Sequence, residues 1–173
     1  IPVYNEERTI IRVLETLESV ILLNEIEKEL VIVNDCSTDS SSSLISEYIN
    51  NNKSLNIKFL SLKRNTGKGA AIRKGIEQCN GKYAVIQDAD LEYDPNEFNL
   101  LLKPLTDNYA DVVYGSRFMG GNPHRILFFW HTLGNTFLTF LSNLFTNLNL
   151  TDMETCYKIF RSDILKKIIL KEN

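Results

Sequence analysis

The chain has 173 residues, of which 43% are hydrophobic and 24% are charged. This length and composition are typical of one globular domain with a sizeable core, and they exclude a disordered chain. The formal net charge of -3 at pH 7 argues against nucleic acid as an electrostatic partner. The three cysteines include no Cys-x-x-Cys pair, which argues against a disulfide framework or a zinc site and favours a reducing compartment.

Short apolar runs alternate with stretches of helical period along most of the chain. Strands are predicted at residues 1–3, 30–33, 57–62, 82–87 and 110–115. Helices are predicted to begin at the N-caps Asn5 and Asp94, after Ser40, and at the Gly67-Lys68-Gly69 turn. The alternation predicts an α/β domain with a mostly parallel central sheet and helices on both faces. We expect a single domain over residues 1–173, trimmed at both ends.

The strand predicted at 82–87 is followed by two carboxylates, Asp88 and Asp90. Side chains at positions i and i+2 of an extended chain point the same way, so these two are expected to converge. Together they suit one hard cation, or a metal that is also bound to phosphate. The alternative is a polar turn followed by a helix cap, because acidic residues are common in loops.

Three other polar features follow predicted strands. Asp35 either caps a turn or recognises a ribose or a base. Gly67-Lys68-Gly69 precedes a helix whose N–H groups suit an anion, although a plain tight loop has the same pattern. Arg117 suits either a surface ion pair or a diphosphate. Because ligands of such sheets bind at the carboxyl ends of the strands, the shared placement of these residues favours one site.

A segment without Asp, Glu, Lys or Arg extends over residues 126–151 and is rich in aromatic side chains. Gly134 and several polar residues interrupt it too often for a membrane-spanning helix. We predict C-terminal amphipathic helix over residues 125–150, which either packs on the domain or lies at a membrane surface. A dense polar run, residues 152–161, follows before a last helix.

A series of short motifs occurs in order along nearly the whole chain. They are Pro2-Val3-Tyr4-Asn5-Glu6, Val33-Asn34-Asp35-Cys36-Ser37-Thr38-Asp39, Asn65-Thr66-Gly67-Lys68-Gly69-Ala70-Ala71, Asp88-Ala89-Asp90, Gly115-Ser116-Arg117 and Asp152-Met153-Glu154-Thr155-Cys156-Tyr157-Lys158. In this order they resemble the motifs of the family 2 glycosyltransferases, which have the GT-A fold. The resemblance extends in particular to dolichol-phosphate mannose synthases and related polyprenyl-phosphate sugar transferases.

The resemblance implies a nucleotide-sugar site, a metal site and a set of catalytic residues. Nucleotide-sugar binding is expected at Pro2, Tyr4, Glu6, Asp35, Lys68, Asp88, Arg117, Lys158 and Arg161. Mg2+ or Mn2+ is the implied cofactor, with Asp88, Asp90 and Glu92 as ligands. The implied catalytic residues are Asp88, Asp90, Arg117 and Asp152. Many members that use lipid phosphates have glutamine where Glu92 stands, so an additional negative charge is expected here.

The implied reaction moves a hexose from a nucleotide sugar of the GDP-mannose or UDP-glucose type to polyprenyl or dolichyl phosphate. It is an inverting transfer at the cytoplasmic face of a membrane. A lipid phosphate is already an anion and needs no general base, whereas a saccharide hydroxyl would need a carboxylate such as Asp152 or Glu154. Two further interpretations are a non-catalytic nucleotide-sugar binding module and a nucleotidyltransferase.

Overall fold

The computed structural model describes residues 1–118 and 129–170 of the chain. In this part the strands are β1 (Pro2–Val3), β2 (Leu30–Asn34), β3 (Ile57–Ser61), β4 (Tyr83–Val85), β5 (Val112–Tyr114) and β6 (Lys158–Arg161). The α-helices are α1 (Ile10–Ser19), α2 (Ser41–Asn51), α3 (Lys68–Gln78), α4 (Phe98–Thr106), α5 (Phe129–Thr146) and α6 (Ser162–Leu165). Short 3-10 turns lie at Leu23–Glu25 and Pro95–Glu97. Strands and helices therefore alternate up to β5, as the sequence predicts.

The described strands form two three-stranded sheets. The first has the order β1-β2-β3 and is parallel, with Val3 opposite Asn34 and Asn34 opposite Ser61. The second has the order β4-β6-β5, and both outer strands run antiparallel to β6. The sequence did not predict β6, because four residues inside a polar run are too few to show a period. As a result, β4 and β5 run in the same direction but do not pair with each other, because β6 lies between them.

Helices cover both faces of β2. Neighbouring residues of a strand point to opposite faces, so the side chains of Ile32 and Val33 lie on opposite faces of the sheet. Ile32 belongs to an apolar cluster with Ile10 of α1 and Ile45 of α2. On the other face, a Cβ at Gly75 of α3 would lie 3.6 Å from Val33 Cγ2, which is ordinary van der Waals contact. The predicted arrangement of helices on both faces is therefore confirmed for this sheet.

Helix α1 also joins the first sheet to the second. Its residues Ile10 and Leu14 lie in the apolar cluster on β2, whereas Val13 and Leu17 lie in a second cluster. That second cluster contains the apolar face of α4 and the inner side chains of the β6 region: Phe98, Leu101, Leu102, Leu105, Tyr157 and Ile159. Burial of one such side chain stabilises the fold by about 1.5–3 kcal/mol. Because α1 buries side chains in both clusters, it holds the two sheets together.

Two predicted helix starts had different outcomes. The Asp94 side chain accepts a hydrogen bond from the N–H of Asn96 at 3.0 Å, and Pro95 opens the helical turn, which confirms that cap. The predicted cap at Asn5 is wrong, because α1 begins at Ile10 after Thr9. Asn5 has a φ of 56° and its side-chain oxygen bonds the neighbouring loop instead of its own helix.

Candidate active site

The carboxyl ends of β1 and β2 open into a cavity of about 380 Å3. Its wall comes from the loops after these strands, the start of α3 and the segment after β4: Pro2, Val3, Tyr4, Glu6, Asp35, Asn65, Gly67, Lys68, Ala71, Asp88, Ala89 and Asp90. Most of the residues predicted for the nucleotide-sugar site therefore surround one space. A second, mostly apolar cavity of about 310 Å3 lies between the sheets, and its wall contains neither Lys68 nor the acidic pair.

Hydrogen bonds between the loops after β1 and β2 fix the rim of the cavity. The Asn5 side chain accepts a bond from the N–H of Thr38 at 2.8 Å. In return, the N–H of Asn5 donates to Ser37 Oγ at 3.0 Å. Tyr4 and Glu6 flank Asn5 in the chain, so this pair of contacts places both of them at the cavity wall.

Asp35 anchors the glycine-containing loop that closes the cavity above α3. Its buried carboxylate accepts bonds from the N–H groups of Thr66 and Gly67, both at 2.8 Å, and from Thr66 Oγ1 at 3.1 Å. Gly67 has a φ of 91°, in the left-handed region that favours glycine. Asp35 therefore caps a neighbouring loop, and through it sets the position of the first turn of α3.

Lys68 and Asp88 form an ion pair in the wall of the cavity. The Lys68 ammonium lies 2.8 Å from each oxygen of the Asp88 carboxylate. Burial opposes the charge of Lys68, but the bond and the attraction to Asp88 outweigh it and raise the pKa of this ammonium. Cys156 Sγ lies 3.9 Å from the same nitrogen. The predicted acidic pair thus includes one carboxylate that a lysine already neutralises.

The segment after β4 turns instead of continuing as a strand. Strand β4 ends at Val85, and Leu91 has a φ of 62°, which side chains rarely adopt. Asp88 is buried, while Asp90 is exposed and its Oδ1 accepts a bond from the N–H of Glu92 at 3.0 Å. The pair therefore lies where the chain begins to bend, as the alternative interpretation describes, and both residues line the same cavity.

The three predicted metal ligands do not gather into a complete cage. In residues 1–118 and 129–170, no group of three His, Cys, Asp or Glu side chains is arranged to hold a metal ion. Glu92 instead acts on Arg117, whose pKa is raised first by Asp152 and further by this nearby charge. Protein Mg2+ sites often consist of one or two carboxylates plus substrate phosphates. Asp88 and Asp90 fit a cation of that kind, which a diphosphate would also hold.

Arg117 is held by Asp152, a carboxylate whose side chain is fully buried. Arg117 donates to it from Nε at 2.8 Å, from Nη2 at 2.9 Å and from its backbone N–H at 3.1 Å, and Asn135 of α5 donates at 2.8 Å. Burial alone would raise the pKa of Asp152, but these bonds outweigh it and lower the pKa. Asp152 therefore holds Arg117 in position, and these bonds would have to be exchanged before the carboxylate could accept the proton that the alternative mechanism requires.

Lys158 brings a third cation to the region of Lys68 and Arg117. It begins β6, and its Nζ lies 5.0 Å from the ring centroid of Tyr114 at the end of β5. Burial lowers the pKa of Lys158, and the positive charges of Lys68 and Arg117 lower it further. An anion beside these three groups would therefore be stabilised electrostatically.

Arg161 lies at the opposite end of β6. It pairs across the sheet with Tyr83, the first residue of β4, whereas the acidic pair follows the last one. Its guanidinium contacts Asp111 and Asp163, each at 3.3 Å. The structure does not place Arg161 at the cavity as predicted. Lys158 and Arg161 are the first and last residues of a four-residue strand, so they lie at opposite ends of it.

Helix α5 presents polar residues to the protein and apolar residues to its surroundings. Asn135 and Thr139 are its buried residues. Its exposed large side chains are Phe129, Trp130, Leu133, Phe137, Leu138, Phe140, Leu144 and Phe145. Residues 125–128 of the predicted amphipathic segment lie outside the described part of the chain. None of the described helices is both long and apolar enough to cross a membrane.

Sequence reasoning treated Asn135 only as an interruption and so missed its contact with Asp152. The signal was its spacing, because Asn135, Thr139 and Asn143 recur every four residues and share one helix face. Thr139 donates to Asn135 Oδ1 at 3.3 Å, and Asn143 exchanges two bonds of 2.8 Å with the backbone of Leu150. In a helix without charges, these residues mark the face that packs on the protein.

Comparison with known proteins identifies the family. The model of "Glycosyl transferase family 2" matches residues 1–169. The chain belongs to this family. Among curated relatives of this glycosyltransferase family member, the dolichyl-phosphate beta-glucosyltransferase of Dictyostelium discoideum is 37% identical over 128 residues, which cover 68% of this chain and 38% of that protein. The dodecaprenyl-phosphate galacturonate synthase of Rhizobium johnstonii is 25% identical, and the match covers 98% of this chain and 49% of that protein. The chain thus spans less than half of the length of either relative.

Solved structures show that the fold of this family 2 member is the GT-A fold. Glucosyl-3-phosphoglycerate synthase from Mycobacterium tuberculosis, in complex with Mn2+ and UDP-glucose, superposes with a TM-score of 0.67 at 19% identity, covering 96% of this chain and 56% of that one. The mannosyltransferase PcManGT from Pyrobaculum calidifontis, in complex with GDP-Man and Mn2+, has a TM-score of 0.57 at 23% identity, covering 64% and 32%. These likenesses confirm the α/β architecture expected from the sequence.

Proposed function

We propose that this protein is a glycosyltransferase that moves a hexose from a nucleotide sugar to a polyprenyl phosphate, with a divalent cation at the donor. The observation that carries the proposal is the convergence of acidic and basic groups at one cavity. Asp88 and Asp90 lie in its wall beside Lys68, and the charges of Arg117 and Lys158 act on the same region. The names of the relatives, which include enzymes of dolichyl and dodecaprenyl phosphate, support the acceptor.

The donor's diphosphate is the part of the substrate that this charge pattern suits. Transfer of the sugar leaves negative charge on the departing nucleoside diphosphate, and fixed cations stabilise that charge where water is excluded. Lys68, Arg117 and Lys158 supply this stabilisation in the proposed mechanism. Mg2+ or Mn2+ held by Asp88 and Asp90 together with the diphosphate would neutralise the leaving group further. Pro2, Tyr4, Glu6 and Asp35 shape the remainder of the donor pocket, next to the glycine-containing loop.

A phosphate acceptor agrees with the state of the carboxylates. A phosphate oxygen is an anion near neutral pH and attacks the anomeric carbon directly, so an inverting displacement needs no general base. A hydroxyl acceptor would require one. Asp152 is engaged by Arg117 and Asn135, which leaves the exposed Glu154 as the candidate base for that alternative.

The exposed apolar face of α5 supports a membrane as the place of reaction. Monomeric soluble proteins rarely expose large contiguous apolar patches, and such a patch typically marks a membrane or protein contact. Phe129, Trp130 and Phe145 are each more than two thirds exposed, at 71%, 76% and 82%. Asn135 on the inner face of the same helix bonds Asp152, which holds Arg117, so a membrane below α5 would place the lipid phosphate near the cations. Unpaired Cys36, Cys79 and Cys156 fit the reducing, cytoplasmic side.

A direct assay tests the proposal. The protein is incubated with GDP-mannose or UDP-glucose, polyprenyl phosphate in liposomes and Mn2+ or Mg2+, and the lipid fraction is analysed by mass spectrometry. We expect a lipid-linked sugar as the product. Asp90→Asn should lower the rate of transfer by about a hundredfold or more, because electrostatic groups at a leaving group typically contribute on that scale. Asp107→Asn, on the exposed end of α4, is the matched control and is expected to retain the rate.

Other products would overturn the proposal in distinct ways. Sugar transfer to a soluble saccharide, with none to lipid phosphate, would favour a hydroxyl acceptor and Glu154 as base. Release of pyrophosphate would indicate a nucleotidyltransferase. Tight nucleotide-sugar binding without turnover on any acceptor would indicate a non-catalytic binding module.

A further inference from the structure

The ion pair between Lys68 and Asp88 engages a carboxylate that the proposed cation site also needs. Both oxygens of Asp88 lie 2.8 Å from the Lys68 ammonium. The side chain of Asp88 is only 9% exposed, whereas that of Lys68 is 53% exposed. Asp88 is also one of the two carboxylates proposed to hold the divalent cation. An ammonium therefore occupies the place at Asp88 that the cation needs.

We infer that Lys68 acts as a stand-in cation, which keeps Asp88 neutralised until a diphosphate draws the ammonium away and a divalent cation takes its place. The inference rests on the proposed function, because the diphosphate is that of the nucleotide-sugar donor. It assigns Lys68 a second role besides contact with phosphate. This role makes cation binding depend on donor binding.

The two partners differ in their freedom to move. Asp88 is buried and is followed by the turn at Leu91, so its carboxylate is held in place. Lys68 is the first residue of α3, and its side chain is a flexible four-carbon stem that reaches across the cavity wall. Rotation of this stem moves the ammonium from the carboxylate towards a bound diphosphate without any change in the backbone.

Charge favours this exchange only when the diphosphate is present. Without it, a divalent cation at Asp88 would meet the Lys68 ammonium at close range, and like charges repel strongly where the carboxylate is buried. A diphosphate offers the ammonium another anionic partner, so the cation and the nucleotide each strengthen the binding of the other by the same factor.

The test measures Mn2+ binding directly, by electron paramagnetic resonance of the free ion, without any glycosyl transfer. Mn2+ is titrated into the wild type, Lys68→Gln and Lys68→Met, each with and without GDP or UDP. Without nucleotide, we expect both variants to bind Mn2+ about tenfold more tightly than the wild type, the scale of one charge-assisted contact. Nucleotide should strengthen Mn2+ binding by the wild type by a larger factor than it strengthens binding by either variant, because only the wild type has to displace the ammonium.

Lys74→Gln is the matched control, because Lys74 lies on the same helix and contacts the exposed Glu77 at 2.7 Å. It should bind Mn2+ as the wild type does. Circular dichroism identifies which of the two Lys68 variants is folded, so that a folding defect in one leaves the other for comparison. Equal affinity of the folded Lys68 variant and the wild type for Mn2+ alone would overturn the inference. Failure of the wild type to bind GDP, UDP or any nucleotide sugar would instead overturn the proposed function.

Discussion

At the residue scale, the candidate site combines charges that already have partners with one that an anion would stabilise. Asp35 and Asp152 each accept several hydrogen bonds from neighbouring loops or side chains, and Asp88 is paired with Lys68. Lys158 lies over the Tyr114 ring, and burial lowers its pKa. A half-buried cation of this kind gains from an incoming phosphate, whereas Asp35 and Asp152 mainly hold a neighbouring loop and Arg117 in position.

The two ends of β6 provide a matched pair of variants. We expect Lys158→Gln to weaken the apparent affinity for the donor or the lipid phosphate by about tenfold to a hundredfold, because hydrogen bonds to charged groups contribute about 1.5–3 kcal/mol. Arg161→Gln should leave it within about twofold, since that guanidinium pairs on the surface with Asp111 and Asp163 and such pairs contribute little. Steady-state kinetics with varied substrate concentrations measure both. Equal losses would contradict the placement of Arg161 away from the site.

Asp152 is expected to stabilise the fold as well as to orient Arg117. Asp152→Asn leaves a partly buried guanidinium without its carboxylate, so we expect a loss of about 3 kcal/mol in the free energy of unfolding at pH 7. Urea denaturation measures it. Asp107→Asn, which removes an exposed carboxylate 4.0 Å from Lys103, is the control and should change little.

The pH dependence gives an independent test of the same pair. The pKa of Asp152 is lowered in the folded protein, so below its ordinary value of about 4 the unfolded chain binds more protons than the folded one. The stabilisation is therefore complete above about pH 4 and is lost as the pH falls through the lowered pKa. As the pH falls from about 4 to about 2, the wild type should lose more stability than Asp152→Asn. Parallel curves for the two proteins would show that the ion pair contributes no net stability.

At the element scale, α5 exposes more large apolar side chains than contact with water alone would favour. Its polar inner face is satisfied by the loop that carries Asp152 and by Leu150. Its outer face is held in place but has no apolar partner in the described part of the chain. A helix with this polarity packs on the protein by hydrogen bonds and leaves its hydrophobic surface available for a bilayer interface.

Substitution of the outer face tests this assignment. Phe137 and Phe140 are 59% and 62% exposed, so the double change to serine removes apolar area without opening a core. We expect cosedimentation with phospholipid vesicles to fall by about tenfold or more, since full burial of one such side chain is typically worth about 1.5–3 kcal/mol. Thermal stability should not decrease. Tyr109→Ser, at an 86% exposed aromatic elsewhere, is the control; an equal loss of vesicle binding there would contradict a specific role for α5.

At the scale of the whole molecule, the site lies where the parallel sheet and the antiparallel sheet come together. The first sheet contributes the loops after β1 and β2 and the start of α3, while the second contributes the turn after β4 and the first residue of β6. Helix α1 has residues in the apolar clusters of both sheets. Binding of a donor across this junction should therefore stabilise the whole unit and not one loop alone.

A thermal-shift screen measures that stabilisation. A ligand that binds only the folded protein adds about 2.7 kcal/mol at a hundred times its Kd, which corresponds to several degrees for a domain of this size. We expect nucleotide sugars to raise the Tm and Mn2+ to increase the shift, whereas Mn2+ alone should have little effect. The same screen on Asp90→Asn is the control, and it should lose the Mn2+-dependent part. An equal Mn2+ effect in that variant would place the cation elsewhere.

Much of the architecture was predictable from local patterns. The strands near residues 30–33 and 57–62 and the cap at Asp94 are encoded by short apolar runs and by residues with a specific backbone preference. The positions of Asp35, Lys68 and Asp88 near one cavity followed from a general rule, that parallel strands carry their following loops to one edge. By contrast, β6 is too short for periodicity, and the cap predicted at Asn5 failed because a partner in a distant loop took its side-chain oxygen.

The amino-acid sequence by itself determined the family, the α/β class and the residue types of the site, because these depend on motifs and on periods that are local in the chain. Only the tertiary structure decided which charges are paired. Asp152 and Arg117 are separated by 35 positions, and Lys68 and Asp88 by 20. Such contacts depend on how loops from different strands meet. The acidic pair was therefore predictable from the sequence, whereas only the fold shows that Asp88 forms an ion pair with Lys68.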